Sequence, residues 1–147
     1  MHALLLNRTQ FLASLAEGVR AWAQEQARLY PEYFDEDLAG LCALASMRLH
    51  DVLRLHQVQA ELVISYDDEG RCGHCHVRAA DHLLDVTATQ FDPMLPDVVC
   101  VDLNAPGHFA LLLERWYWRR YATFPDSRQA GLYLADEGWP LEQRSPP

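Results

Sequence analysis

Ala60-Glu61-Leu62-Val63-Ile64-Ser65-Tyr66, Cys72-Gly73-His74-Cys75-His76-Val77-Arg78-Ala79 and His82-Leu83-Leu84-Asp85-Val86-Thr87 decide the fold. In the first run Ala60, Leu62, Ile64 and Tyr66 alternate with Glu61 and Ser65, a period of two that predicts a strand, with Val63 adding an apolar side chain to the second face. Asp67-Asp68-Glu69-Gly70 has turn composition, so the second run returns as a hairpin partner. Ala80-Asp81 turns the chain again, and Leu83, Leu84 and Val86 suit a third, largely buried strand. The three form an antiparallel meander.

Outward from this meander the period changes. Upstream, Phe11, Leu12, Leu15, Val19, Trp22 and Ala23 recur at spacings of three and four, which predicts an amphipathic helix over 9–29, capped by Asn7 or Thr9 and stopped by Pro31. An acidic loop, 32–37, follows. Leu38, Leu41, Cys42, Ala45, Leu49, Val52 and Leu53 predict a second helix over 38–56 with Asp35 or Asp37 as its cap. Downstream, 98–103 reads as a further strand, while 109–121 and 127–135 read as helices, and the 144–147 tail as frayed. The result is an α+β domain spanning 1–147.

The chain has 147 residues, half of them hydrophobic, which is enough for one core without disulfides or a metal. Its formal net charge of -9 opposes a phosphate-backbone ligand, so nucleic acid is not expected as a partner. The apolar run 3–6 is too short for a membrane span or a signal-peptide core, so a cytoplasmic chain without a membrane partner is expected. In a reducing compartment the four cysteines are free thiols. Oligomeric state is not legible.

A cysteine that attacks amides must be a thiolate near neutral pH, and two devices supply that: the positive end of a helix and an imidazole that takes the proton. Cys42 falls in the first turns of the second helix. His76, near the middle of its strand, is the expected base, with His74 on the same strand face as the alternative. Asp85, past the next turn, is placed to orient the imidazole. The backbone N–H of Cys42 is the candidate oxyanion donor, and Gln90 is expected to serve its own loop.

Gly40-Leu41-Cys42-Ala43-Leu44-Ala45-Ser46, a histidine strand and Asp85-Val86-Thr87-Ala88-Thr89-Gln90-Phe91 together resemble the transglutaminase-like, papain-like cysteine protease superfamily. Its bacterial members carry a cysteine at a helix start, then a histidine on a strand, then a D-x-T-a-x-Q-F segment. The resemblance covers 38–91 and departs where Arg78 replaces the aromatic that commonly follows the histidine by two positions. It implies a Cys helix packed on a small antiparallel sheet, and a hydrolase or acyltransferase acting on a peptide or protein amide, or an ester. Peptidase, deamidase and transferase all remain open. The triad is Cys42, His76 and Asp85, with no cofactor and no metal.

Two other readings compete. Cys72-Gly73-His74-Cys75-His76 with His82 offers zinc ligands in C-x-x-C spacing, but a closed site needs a second ligand pair, and Cys42 and Cys100 are single and distant in sequence. Alternatively the fold is a binding module without turnover. Arg115-Trp116-Tyr117-Trp118-Arg119-Arg120-Tyr121 has the composition of a site for acidic ligands, yet on a helix Leu112, Leu113, Trp116 and Tyr117 pack inward as in any amphipathic element.

Overall fold

The computed structural model describes residues 7–66, 73–117 and 121–144, apart from the side chains of 114–116 and 121. The acidic turn 67–70, Cys72, the apolar run 3–6, the last three residues and much of the Arg-Trp cluster lie outside the described residues.

Helix α1 runs Arg8–Leu29, and Asn7 caps it reciprocally: its side chain accepts the Gln10 N–H while Gln10 accepts the Asn7 N–H. Helix α2 runs Cys42–Leu55 and starts later than the apolar pattern suggests. Leu38 and Gly40 both have positive φ, 70° and 90°, so neither can be helical. A side chain at residue 40 would be strained at that φ. Asp37 accordingly caps Ala39 N–H within this loop and leaves α2 without a side-chain cap. Cys42 thereby becomes the first helical residue.

The strands are β1 (Ala60–Tyr66), β2 (Gly73–Ala79), β3 (His82–Asp85), β4 (Val99–Asp102) and β5 (Tyr121–Phe124). Among the described residues they form one antiparallel sheet in the order β4-β3-β2-β1-β5. Helices α3 (Ala110–Trp116) and α4 (Ser127–Asp136) complete the α+β fold. The helix expected over 109–121 therefore ends early, and Tyr121 opens an edge strand beside β1.

Side-chain alternation gives the sheet two buried faces. Leu62, Val77, Ala79 and Leu84 pack with Leu12, Val19, Leu49 and Leu53 of α1 and α2. Each such leucine, fully buried, contributes about 1.5–3 kcal/mol relative to exposure. Leu83, Val99 and Val101 face the other way, against Leu113 and Tyr117. His74 and His76 lie on that second side of β2, where the Tyr117 ring centroid is 6.2 Å from His74 and 5.0 Å from His76. No helix among the described residues is long and apolar enough to cross a membrane.

Candidate active site

Cys42, His74 and Asp85 meet at the junction of α2, β2 and the end of β3. Cys42 shares a buried cluster with Cys75 and is close enough to His74 for each to shift the other's pKa. His74 Nε2 donates to Asp85 Oδ2 at 2.6 Å, which leaves Nδ1 as the nitrogen not bound to the carboxylate. Asp85 Oδ2 also accepts from the Tyr117 hydroxyl at 2.6 Å, and Oδ1 accepts from Thr87 N–H at 2.9 Å and Thr87 Oγ1 at 3.4 Å. A buried carboxylate with this set of donors has its charge satisfied.

Asp85 bonds His74 and not His76. Val77 pairs with Leu84, so extending that register by one residue sets His76 level with Asp85. The carboxylate instead takes the diagonal neighbour, since Thr87 occupies Oδ1 and Oδ2 is shared by His74 and Tyr117. Both ring nitrogens of the fully buried His76 are without a hydrogen bond among the described residues. Tyr117 presents its ring to His76 at a T-shaped angle.

The electrostatics follow from these contacts. Burial alone disfavours a charged His74, but the charge and hydrogen bond of Asp85, then Cys42, outweigh it and raise the pKa to about 10. For Asp85, burial opposes ionisation, and the charge and hydrogen bond of His74 with the Tyr117 and Thr87 donors bring it down to about 2. Burial dominates at His76 and lowers it to about 3, so that ring is neutral. The Cys75 thiol hydrogen bond holds Cys42 well below the usual thiol range against burial, with His74 reinforcing it. Cys75 moves up correspondingly. Of the two sulfurs, Cys42 carries the charge, because it alone faces the His74 imidazolium and begins a helix.

The surrounding groups define how the site is held. Gln90 Nε2 lies 3.3 Å from His74 Nδ1 and 3.2 Å from Thr87 Oγ1, so it reaches the His74 imidazole as well as its own loop. Phe91 stands edge-on to the His74 ring, with centroids 4.5 Å apart. A Cβ at residue 73 would overlap the Trp139 indole, so Gly73 is what lets Trp139 lie against the start of β2. The N–H groups of the first helical turn, Cys42 and Ala43 among them, have no intrahelical acceptor.

Arg20 of α1 holds the segment after Asp85. It donates to the Val86 carbonyl at 3.0 Å, Thr89 Oγ1 at 2.8 Å and the Asp97 carbonyl at 3.4 Å. Arg20→Met is expected to destabilise the protein by about 2–4 kcal/mol, because buried acceptors lose their charged donor. Urea unfolding checks this, and a loss below about 0.5 kcal/mol, the range of ordinary surface changes, contradicts it.

Tyr117 reads in the sequence as an inward-packing aromatic, and nothing in the apolar pattern of 9–29 marks Arg20. Of the residues weighed as zinc ligands, His82 bonds Thr9 Oγ1 and the Ala80 carbonyl, each at 2.7 Å, and His74 is bound to Asp85. The described residues hold no group of three or more potential metal ligands, and Cys72 lies outside them. Comparison with known protein families, with curated proteins and with solved structures finds no match for this chain.

Proposed function

We propose that the chain is a cysteine-nucleophile hydrolase or acyltransferase acting on an amide or ester, with Cys42 as nucleophile, His74 as base and Asp85 as orienting group. One observation carries this reading. A cysteine opening a helix touches an imidazole whose other nitrogen is bonded to a buried carboxylate. The α+β arrangement, with the Cys42 helix against an antiparallel sheet, agrees with the transglutaminase-like, papain-like kind of enzyme that residues 38–91 resemble.

In this reading the resting state is a Cys42 thiolate and a His74 imidazolium. Sulfur attacks the carbonyl carbon, and the first-turn N–H groups of α2 stabilise the developing oxyanion. His74 Nδ1–H protonates the leaving amine or alcohol, and water or an acceptor amine then releases the acyl group as His74 takes its proton. Asp85 and Tyr117 keep Nε2–H engaged throughout.

The test uses an activated ester and mass analysis of the whole chain. A nitrophenyl ester is expected to leave one acyl group on Cys42 and none on Cys42→Ala, and acylation at another residue would refute the assignment. Asp85→Ala is expected to lose most of this acylation because His74 is released. Asp85→Asn keeps a carboxamide oxygen for His74 but turns its NH2 toward the Thr87 N–H, so acylation survives with about 1–3 kcal/mol of lost stability. Wild-type acylation rates in a folded Asp85→Ala would remove Asp85 from the site.

A further inference from the structure

We infer that Cys42 and Cys75 are a hydroperoxide-responsive pair, in which oxidation of Cys42 is captured by Cys75 as a disulfide that silences the site. The inference rests on the Cys42 thiolate of the proposed function and gives Cys75, which lowers the Cys42 pKa, a second role. Cys75 follows His74 on β2, but its side chain alternates to the opposite face and enters a small buried cluster with Cys42, Ala43, Ile64, Tyr66 and Leu134. Both thiols are buried in this one cluster, and each shifts the other's pKa.

Ordinary packing explains one buried cysteine without further comment. A hydrogen-bond donor beside the Cys42 thiolate accounts for a polar group there, which serine would also supply, but a thiol places a second oxidisable sulfur beside the first. Alanine or valine would fill the same space and leave the thiolate free of a sulfur that can close on it. Cys100, by contrast, bonds the Thr9 carbonyl near α1 and takes no part in the cluster.

The chemistry balances with a hydroperoxide as oxidant. The Cys42 thiolate attacks the distal peroxide oxygen, the O–O bond breaks, and the departing hydroxide or alkoxide takes a proton from the His74 imidazolium. Cys42 is then a sulfenic acid. Its negative charge is gone, and with it the hydrogen bond and the charge that hold Cys75 protonated. The Cys75 sulfur attacks the Cys42 sulfur, the S–O bond breaks, and hydroxide leaves as water with the Cys75 proton. The sum is two thiols and one hydroperoxide giving a disulfide, water, and a second water or an alcohol. Cys42 is only 5% exposed, which favours a small oxidant over a bulky one. The same step removes the nucleophile from acyl transfer and shields it from irreversible oxidation.

The experiment treats the full-length chain with hydrogen peroxide and maps cysteines without reduction. Arg71 and Arg78 put Cys72 and Cys75 on one tryptic peptide, so mapping is done on both wild type, with fragmentation of that peptide, and Cys72→Ser. The expected result in both is a Cys42–Cys75 linkage, loss of iodoacetamide labelling at Cys42, and full return of labelling after dithiothreitol. In Cys75→Ala the same treatment is expected to add two oxygens to Cys42, with no return. Cys42 over-oxidised in wild type, linked to Cys72 or Cys100, or recovered by dithiothreitol in Cys75→Ala would overturn the inference. Acylation of Cys42 by ester without any such linkage sinks this inference and leaves the proposed function standing. A Cys42–Cys75 linkage in a chain that no ester acylates does the reverse.

Discussion

His74→Gln is expected to slow iodoacetamide labelling of Cys42 at pH 6 by one to two orders of magnitude, while His76→Leu leaves it within about twofold. An unperturbed thiol of pKa about 8.5 is roughly 0.3% thiolate at pH 6, which sets the floor. The Cys75 hydrogen bond and the helix start remain in the variant, so the rate stays above that floor. Glutamine at 74 keeps a donor for Asp85 but cannot hold a positive charge against the thiolate. Leucine at 76 replaces a neutral ring that makes no hydrogen bond among the described residues by an apolar side chain of similar size. Peptide mapping of the labelled site, with unfolding curves for both variants, reads the result. Loss of labelling in a folded His76→Leu with retention in His74→Gln would restore His76 as the base.

The second large effect is on stability against pH. The folded pKa of His76 is depressed from 6.5 to about 3 by burial, so on acidification the unfolded chain binds this proton first. Its contribution is complete above pH 6.5 and is lost as pH falls toward 3, with a slope of up to about 1.4 kcal/mol per pH unit. Asp85 acts lower, since its pKa falls from 3.8 to about 2, and its contribution is lost as pH drops through that interval. His76→Leu is therefore expected to reduce the slope of the acid limb between pH 6.5 and 3, where Cys42 also contributes down to its lowered pKa, and to leave the Asp85 limb below it.

The alkaline side behaves differently. His74, raised from 6.5 to about 10, stabilises fully below pH 6.5 and loses this as pH rises through 10. Cys42, lowered from 9.0, stabilises fully above pH 9 and loses this as pH falls through its lowered value. Between 6.5 and 9 the folded pair holds one proton, on His74, and the unfolded pair also holds one, on Cys42, so the pair contributes no slope. Cys42→Ser unmasks the His74 term, and its stability is expected to decline from pH 6.5 upward where wild type is level. Urea midpoints measured from pH 3 to 9 test both statements, and an acid limb in His76→Leu as steep as in wild type would contradict the first.

The hairpin run, the two N-terminal helices and the strand near residue 100 were readable because each carries its own period and turn residues. The sheet that unites β1, β2 and β3 follows from two short turns, and short antiparallel connections leave few alternatives. Cys42 and Asp85 stand out for the same local reason, one at a helix start and the other at a strand end. Edge strand β5 was not readable, because Tyr121-Ala122-Thr123-Phe124 is too short to show a period of its own and becomes a strand by pairing with Leu62 to Ser65.

The choice between His74 and His76 lies beyond any local pattern. Both histidines share a strand face, and the register favours His76 by placing it level with Asp85. What selects His74 is the occupancy of the carboxylate: Thr87 takes one oxygen, and Tyr117, which comes from the end of α3, takes part of the other. Tyr117 is 32 residues from Asp85 along the chain, and the Arg20 that holds the Val86 carbonyl is 66 away. Periodicity assigns a residue to a face and an element. The hydrogen-bond partner of one buried oxygen is fixed when α1, the sheet and α3 close around it, since a buried carboxylate must take its donors from whatever elements the packing brings within reach.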